Sequence, residues 1–160
     1  MSYHSLAERR RLISGDSSTN GYAFRFEFVA RLRDIDGVGH VNNAKLVSYL
    51  EDARNAYLLE SRGKHRLEDI DFVLAHTSID YRSPARFGES FVVMLRPTRL
   101  GTKSYDLEYV IREATTGRLV AEASTVQVAH DYARRESIPI PPDLRAFLER
   151  DLERTRGREK

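Results

Sequence analysis

The chain has 160 residues, a hydrophobic fraction of 41 % and 26 basic against 24 acidic side chains. This length and apolar content favour one domain with one core, and the near balance of charge, without a basic block that carries aromatic residues, argues against a nucleic-acid partner. The absence of cysteine excludes disulfides, thiolate nucleophiles and thiolate metal sites.

Both ends of the chain are polar. Residues 1–21 predict a flexible N-terminal arm because they finish in the turn-rich stretch SGDSSTNG, and residues 155–160 predict a polar tail. No apolar run approaches the roughly 20 residues that span a bilayer, and the N-terminus lacks the apolar region of a signal peptide. We therefore expect a single domain over residues 22–154, in a cytoplasmic protein without a membrane partner.

The first predicted element is a strand over residues 24–33, where apolar side chains alternate with mostly polar ones. Two glycines then interrupt regular structure in the stretch DIDGVGHVNN, residues 34–43. The period becomes helical from Asn43 to Arg62, with Gly63 as a natural stop. About twenty residues make roughly 30 Å of helix, and the wide apolar stripe predicts that a sheet encloses it.

One charged residue falls on the apolar side of this predicted helix. Arg54 projects near Val47 and Leu58, where a cation needs a partner. Glu51 stands three residues earlier and is placed to supply the carboxylate. We therefore expect an ion pair between these two side chains.

Four more strands are predicted in succession after a polar connection. They cover residues 73–82, 90–99, 103–113 and 118–130. The proline-rich stretch IPIPP then ends the sheet, and an amphipathic helix follows. Its apolar positions are Leu144, Phe147, Leu148 and Leu152. Because consecutive strands without intervening helices join as hairpins, the element order predicts an α+β fold with an antiparallel sheet wrapped around one long helix.

Metal and phosphate sites fit the stretch at residues 34–43 poorly. An EF-hand fails because Val38 and Lys45 occupy positions that need oxygen ligands. Zinc needs three or four converging ligands, and Asp36 with His40 supplies two. Two nearby carboxylates would repel a phosphate at the helix start. We therefore predict no metal site and no cofactor.

Hydrolysis of an activated acyl group fits this stretch better. A carboxylate in a glycine-shaped loop can attack a carbonyl carbon or deprotonate water, and free amides at a helix start can polarise the carbonyl oxygen. Neither role needs cysteine, serine or a metal. The residues alone leave a structural alternative open, in which Asp34, Asp36 and the two asparagines cap the helix or tighten the turn and His40 is a loop residue.

As an ordered set, these residues resemble a family signature. The segment RDIDGVGHVNNAKLVSYLEDAR is similar to that of hotdog-fold acyl-CoA thioesterases of the 4-hydroxybenzoyl-CoA thioesterase type, in which D-x-D-x-x-G-H-V-N-N precedes a Tyr-rich helix carrying E-x-A-R. The segments IDYRSPARFGE, VVMLRPTRLGTKSYDLEYVI and GRLVAEASTVQVAHD resemble strands of the same family. The similarity covers residues 24–148. It implies a hotdog fold with a five-stranded antiparallel sheet around the central helix, in homodimers or homotetramers with sites at subunit interfaces.

The resemblance also implies roles for individual residues. The catalytic carboxylate of the family corresponds to Asp36, and the amide that polarises the thioester carbonyl corresponds to that of Asn43. The residues that would shape the acyl pocket are Gly39, His40, Val41 and Asn42.

Two further features follow from the same comparison. A second hotdog group uses a glutamate about two turns inside the central helix, and Glu51 occupies a comparable place, which makes it the alternative catalyst. Some relatives carry a tyrosine at the position of Asn43, and the pockets of benzoyl-specific relatives are more aromatic. The asparagine at this position therefore argues against an aromatic substrate. The phosphates of coenzyme A would rest on surface cations. The candidates are Arg82, Arg86, Arg99 and Lys103.

The sequence thus predicts a metal-free thioester hydrolase that acts on acyl-CoA, with Asp36 as nucleophile or general base. The enzymatic alternatives are a thioesterase acting on an acyl carrier protein and a hotdog dehydratase in which His40 would serve. A non-catalytic module that binds acyl-CoA is the alternative from another class. The unpaired Asp36 argues against it, because a pure binding protein gains nothing from a carboxylate beside a thioester.

Overall fold

The computed structural model describes residues 21–156. The helices and strands in chain order are β1 (Phe24–Val29), α1 (Asn43–Leu58), β2 (Phe72–Tyr81), β3 (Ser90–Leu100), β4 (Ser104–Glu113), β5 (Leu119–Asp131), β6 (Glu136–Ser137) and α2 (Pro142–Arg156). Short 3-10 turns lie in the connections at Leu32–Asp34, Glu60–Arg62 and Leu67–Asp69. None of the helices within residues 21–156 is long and apolar enough to cross a membrane.

One antiparallel sheet forms the body of the domain. Its strands follow the order β1-β3-β4-β5-β2, and the two-residue β6 pairs with the end of β5. All neighbours in the sheet are antiparallel, and β1 and β2 occupy its two edges. The predicted five-stranded antiparallel sheet is confirmed, with β6 as an unpredicted short addition.

Helix α1 lies against the inner face of this sheet and closes the core. Tyr57 contacts the Phe24 ring on β1 and the Phe147 ring on α2, with centroid distances of 5.7 and 4.9 Å. The Tyr57 hydroxyl donates a hydrogen bond of 3.0 Å to Asp151 of α2. The apolar positions of α1 and α2 meet in one cluster with those of the strands. The prediction of a central helix and an amphipathic C-terminal helix is therefore confirmed.

Two predicted elements are shorter in the structure. The first strand ends at Val29 because the chain turns at Ala30, whose backbone pairs with the β2–β3 connection through Glu89 (3.1 Å) and Gly88 (3.3 Å). The central helix ends at Leu58 because the following residues tighten into a 3-10 turn. Helix α2 runs through Arg156, two residues beyond the predicted domain end. Residues 1–20 and 157–160, which include most of the predicted arm and tail, lie outside the described residues.

The expected ion pair between Glu51 and Arg54 is not formed in the described part of the chain. Arg54 is only 4 % exposed and lies beside the Tyr109 hydroxyl of β4, whereas Glu51 is exposed. The helix turns Arg54 onto the sheet, and the Glu51 side chain stays on the open side. A spacing of three residues along the helix therefore does not bring these two charged side chains together.

A cluster of charged side chains connects the end of α1 with the start of β2 and the start of α2. Arg62, after α1, donates to Asp71 before β2 (2.8 Å) and to Asp143 in the first turn of α2 (2.5 Å). Lys64 lies 3.4 Å from both carboxylates. Partial desolvation raises the pKa of Asp143, but the hydrogen bond and charge of Arg62 outweigh it and lower this pKa to about 2. The cluster anchors α2 to the end of α1.

The acid dependence of stability should report on this cluster. The folded pKa of Asp143 lies below its usual value of 3.8, so its contribution is present above that pH and is lost as the pH falls toward 2. We expect Asp143→Asn to lower the free energy of unfolding by about 1 kcal/mol at pH 6, after allowance for the half-exposed side chain. Urea unfolding of wild type and variant at pH 6 and pH 2 measures this difference in the free energy of unfolding. A difference from wild type that is unchanged at the lower pH would contradict the assignment.

Candidate active site

The stretch at residues 34–43 forms a small hairpin rather than an open loop. Ile35 pairs with Val41, and the Asp36 amide donates to the His40 carbonyl at 2.8 Å. Gly39 at the tip has a φ of +85°, a conformation that favours glycine. The Val41 amide donates to Ala85 at 2.8 Å and docks the hairpin on the β2–β3 connection. Backbone hydrogen bonds therefore hold the hairpin on both sides.

The first aspartate of the D-x-D motif is structural. Asp34 is buried, and its Oδ2 accepts a hydrogen bond from the Arg31 amide (2.9 Å) and from the Tyr49 hydroxyl of α1 (2.5 Å). Burial and the Asp34 carboxylate together raise the pKa of Tyr49. The Tyr49 ring in turn stacks on Phe28 of β1 with centroids 3.7 Å apart. Asp34 thus ties the hairpin to the helix and the sheet.

The second aspartate is held open to the surface. Asp36 Oδ1 accepts hydrogen bonds from the amides of His40 (3.1 Å) and Val38 (2.9 Å). These two amides, with His40 the larger influence, lower the pKa of Asp36 and keep the carboxylate ionised. Within residues 21–156, its Oδ2 has no hydrogen-bond partner. The side chain is therefore oriented through one oxygen while the other is available to react.

The start of α1 leaves one amide without an acceptor in the described residues. Asn42 caps the helix, since its side-chain oxygen accepts from the Ala44 amide (2.9 Å) and its carbonyl accepts from Lys45 (2.8 Å) and Leu46 (3.2 Å). The Asn43 amide has no such bond. It lies at the positive end of the helix dipole, where it suits the oxygen of a polarised carbonyl.

The residues predicted to shape the acyl pocket occupy different environments. Gly39 and Asn42 are exposed and His40 is half-buried. Val41 is only 2 % exposed and belongs to the core, so it supports the hairpin from beneath. All four belong to the hairpin and helix start that also carry Asp36 and Asn43. Their roles toward a substrate stay predictions.

Two tyrosines near the site were missed at the level of sequence. Tyr49 holds Asp34, as described above. Tyr81, at the end of β2, donates its hydroxyl to the Asn43 carbonyl at 3.3 Å and is 42 % exposed beside the helix start. The segment IDYRSPARFGE, which contains Tyr81, was the available signal, but a local segment does not reveal which helix end lies opposite it.

The four candidate cations for coenzyme A differ in their partners. Arg82 binds Glu122 at 2.8 Å and Arg99 binds Asp106 at 2.7 Å, while Lys103 donates to Ser137. Arg86 is exposed, has no ion pair within the described residues and pairs through its backbone with His40. Arg33 and Lys45, exposed on either side of the hairpin, also have no ion pair there. Three exposed cations without an ion pair in the described residues thus lie around the hairpin.

Comparison with known proteins places the chain in a family. Residues 30–148 match the Thioesterase-like superfamily. Among curated relatives, the long-chain acyl-CoA thioesterase FadM of Escherichia coli (strain K12) is 31 % identical over 72 % of this chain and 89 % of its own length. A 1,4-dihydroxy-2-naphthoyl-CoA hydrolase of Synechocystis is 28 % identical over 74 % of this chain and 88 % of its own length.

Solved structures show the same fold. A thioesterase from Thermus thermophilus, complexed with coenzyme A and Zn, has a TM-score of 0.74 and 30 % identity, covering 83 % of this chain and 96 % of that one. The 1,4-dihydroxy-2-naphthoyl-CoA thioesterase from Synechocystis has a TM-score of 0.72 and 29 % identity, covering 81 % and 97 %.

The sheet, its central helix and these neighbours define a hotdog-fold protein of the thioesterase class. The chain belongs to the Thioesterase-like superfamily. The prediction of a thioester hydrolase is confirmed at the level of this family. Its relatives include enzymes named for long-chain acyl groups and for the 1,4-dihydroxy-2-naphthoyl group.

Proposed function

We propose that this protein hydrolyses acyl-CoA thioesters, with Asp36 as the catalytic carboxylate and the Asn43 amide as the donor to the thioester carbonyl. The observation that carries the proposal is that the hairpin and helix start present two groups together. One is the oriented, ionised carboxylate of Asp36, and the other is the Asn43 amide, which has no acceptor in the described residues. Membership of the Thioesterase-like superfamily supports the reaction class. The names of the relatives support coenzyme A as the carrier.

The proposed chemistry uses either of two routes from the same carboxylate. In the first, Asp36 Oδ2 attacks the carbonyl carbon, the C–S bond breaks, the thiolate leaves and takes a proton from water, and a second water hydrolyses the acyl-aspartyl anhydride. In the second, Asp36 removes a proton from a water that attacks directly. In both routes the Asn43 amide donates to the oxygen as negative charge develops there. The pKa of the Asp36 carboxyl is lowered, and this keeps the carboxylate ionised for either route.

Thiol release from a panel of acyl-CoAs tests this proposal. Short, medium, long and aromatic acyl-CoAs are incubated with the protein, and free coenzyme A is measured with a thiol reagent. The chain contains no cysteine, so the protein itself does not consume the reagent. We expect turnover of at least one thioester. A folded protein that binds acyl-CoA without releasing thiol from any of them would contradict the proposal and favour a binding module.

Arg86 is the cation proposed to hold a phosphate of coenzyme A. It is the one member of the four candidates that combines a position beside the hairpin with the absence of an ion pair in the described residues. We expect Arg86→Gln to raise KM for acyl-CoA by about tenfold with little change in kcat, since one charge-assisted contact is lost. Arg99→Gln is the matched control. Equal KM values for Arg86→Gln and wild type would contradict this role.

The proposal includes a homodimer or homotetramer with sites at subunit interfaces. In the described sheet, β2 is a ten-residue edge strand with one side unpaired, and such an edge is a template for another strand. Leu74 and Ile79 on β2 are not fully buried. Analytical ultracentrifugation is expected to give at least twice the chain mass of 18.4 kDa. A monomer at working concentration would contradict sites built between subunits.

A further inference from the structure

One arginine side chain holds both ends of the β2–β3 connection, residues 82–89. Arg118, which directly precedes β5, donates from Nη1 to the Ser83 hydroxyl (2.8 Å) and to the Pro84 carbonyl (2.5 Å) near the start of the connection. Its Nη2 donates to both carboxylate oxygens of Glu89 at the end, each at 2.9 Å. The side chains of Arg118 and Glu89 are 29 % and 25 % exposed. Arg118 therefore closes the connection through charge-assisted hydrogen bonds.

The turn that carries Arg118 is held by its own hydrogen bonds. The Glu113 carboxylate at the end of β4 accepts from the Thr116 hydroxyl (2.6 Å) and from the amides of Thr115 (2.9 Å) and Thr116 (2.6 Å). The Thr116 hydroxyl first, and then the two amides, lower the pKa of Glu113 to about 2, so this acceptor stays ionised at neutral pH. The Glu113 amide donates to the Arg118 carbonyl at 2.9 Å. Arg118 therefore reaches the connection from a backbone that the sheet holds in place.

Glu89 links Arg118 to the hairpin of the candidate active site. Its Oε2 accepts a hydrogen bond from the Arg86 amide (2.9 Å), and its own amide donates to the Arg86 carbonyl (3.3 Å). Residues 86–89 therefore form a closed turn, and the first residue of this turn pairs through its backbone with His40 of the hairpin. The carboxylate that Arg118 binds is thus the same carboxylate that fixes the docking partner of the hairpin.

The position of Asp36 depends on this docking of the hairpin. The His40 amide donates to Asp36 Oδ1 (3.1 Å), and the Asp36 amide donates to the His40 carbonyl (2.8 Å). Asp34 ties the base of the hairpin to α1, and the β2–β3 connection holds the side that carries His40. The Asn43 amide, in contrast, belongs to α1 itself. The distance between the Asp36 carboxylate and this amide is therefore sensitive to how the connection is held.

We infer that Arg118 and Glu89 are positioning residues for thioester hydrolysis, which hold the Asp36 carboxylate at its working distance from the Asn43 amide. The inference rests on the proposed thioesterase function and adds to it two residues from outside the D-x-D motif. Both act through the backbone of the connection and the hairpin. A misplacement of about 1 Å between reacting groups can cost about a hundredfold in rate. The effect of these residues therefore falls on the chemical step rather than on the binding of acyl-CoA.

Arg118→Gln tests this role through the split between kcat and KM. We expect kcat for acyl-CoA hydrolysis to fall about tenfold, because the connection loses its charged anchor, while KM stays within about twofold. Glu89→Gln keeps an oxygen for the Arg86 amide and loses only the charge, so its kcat should fall about threefold. Thiol release measures both constants, and thermal unfolding verifies that the variants are folded. If Arg118→Gln does not fold, the milder Glu89→Gln carries the test.

The matched control is an arginine of similar exposure on another part of the sheet. Arg96 binds Glu108 at 3.1 Å between β3 and β4, and its side chain is 22 % exposed. Arg96→Gln removes one guanidinium from a half-buried ion pair, as Arg118→Gln does, and we expect wild-type kcat and KM. A loss of kcat in Arg96→Gln as large as in Arg118→Gln would overturn the inference, because it would reflect the loss of any such ion pair.

A double substitution separates positioning of Asp36 from a general loss of structure. In the Asp36→Asn background, Arg118→Gln has no carboxylate left to misplace. It should therefore leave the residual rate of thiol release, measured with enzyme in excess, within about twofold. A further loss of about tenfold in this background would overturn the inference, because the effect of Arg118 would then be independent of Asp36.

The remaining outcomes distinguish this inference from the proposed function. An unchanged kcat in the folded variants Arg118→Gln and Glu89→Gln, or a change confined to KM, would overturn the inference. The proposed function survives that result if Asp36→Asn still hydrolyses acyl-CoA far more slowly than wild type. Full activity of Asp36→Asn would instead overturn the proposed function and the inference together.

Discussion

Asp36→Asn is expected to lower kcat for acyl-CoA hydrolysis by about a thousandfold, the loss that follows removal of a catalytic base or nucleophile. The amide oxygen of asparagine still accepts the hydrogen bonds that Asp36 Oδ1 takes from Val38 and His40, so the hairpin keeps its shape. The substitution removes the negative charge and the reactive second oxygen. Thiol release under single-turnover conditions measures the chemical step, and thermal unfolding verifies that the variant is folded.

The matched control for this variant is Asp80→Asn. Asp80 is an exposed aspartate of β2 with its carboxylate beside Arg82, and we expect full activity after its substitution. Normal turnover by Asp36→Asn would remove Asp36 from the mechanism. Glu51, which is exposed on α1 and has no ion pair with Arg54 in the described residues, would then be the carboxylate to substitute next.

Asp34→Ala should destabilise the fold by about 3 kcal/mol, because a buried carboxylate that accepts two hydrogen bonds is lost and both donors are left without an acceptor. The donors are the Arg31 amide and the Tyr49 hydroxyl. Tyr49→Phe removes one of the two bonds and should cost about half as much. Urea unfolding at neutral pH measures both free energies.

The control for Asp34 is a half-buried aspartate whose carboxylate also accepts two hydrogen bonds, both from one arginine side chain. Asp106→Ala breaks the two bonds from Arg99 at 2.7 and 2.8 Å, and surface pairs of this kind contribute less than about 1 kcal/mol. A loss of stability in Asp34→Ala no larger than in Asp106→Ala would show that the carboxylate does not anchor the hairpin. Taken with Asp36→Asn, the pair of substitutions separates the structural aspartate of the D-x-D motif from the proposed catalytic one.

The order and type of the main elements follow from local patterns. Alternation at Phe24–Val29 and along β4, and the helical period after Asn43, were sufficient because each element buries one face. Their ends were less predictable. The strand β1 stops where Ala30 meets the distant residues Gly88 and Glu89, and no local pattern contains that contact.

The two aspartates illustrate the same limit within the site. The motif identified both carboxylates and the helix start. It did not assign the buried role to Asp34, since that role depends on the Tyr49 hydroxyl fifteen residues later. The charge of Arg54 was visible on the helix, but its neighbours Tyr105 and Tyr109 come from β4, far along the chain.

The sequence by itself determined the antiparallel sheet around one helix, the thioesterase-like signature and the loop that carries Asp36, because these depend on local periodicity and on an ordered motif. The tertiary structure decided which aspartate is buried, which of the candidate cations lies unpaired beside the hairpin, and which polar side chains meet beneath α1. Those properties depend on contacts between elements that local sequence patterns do not contain. Tyr49 of α1 holds Asp34, and backbone pairing with His40 places Arg86 beside the hairpin. The rotation of α1 on the sheet places Arg54 beside Tyr109.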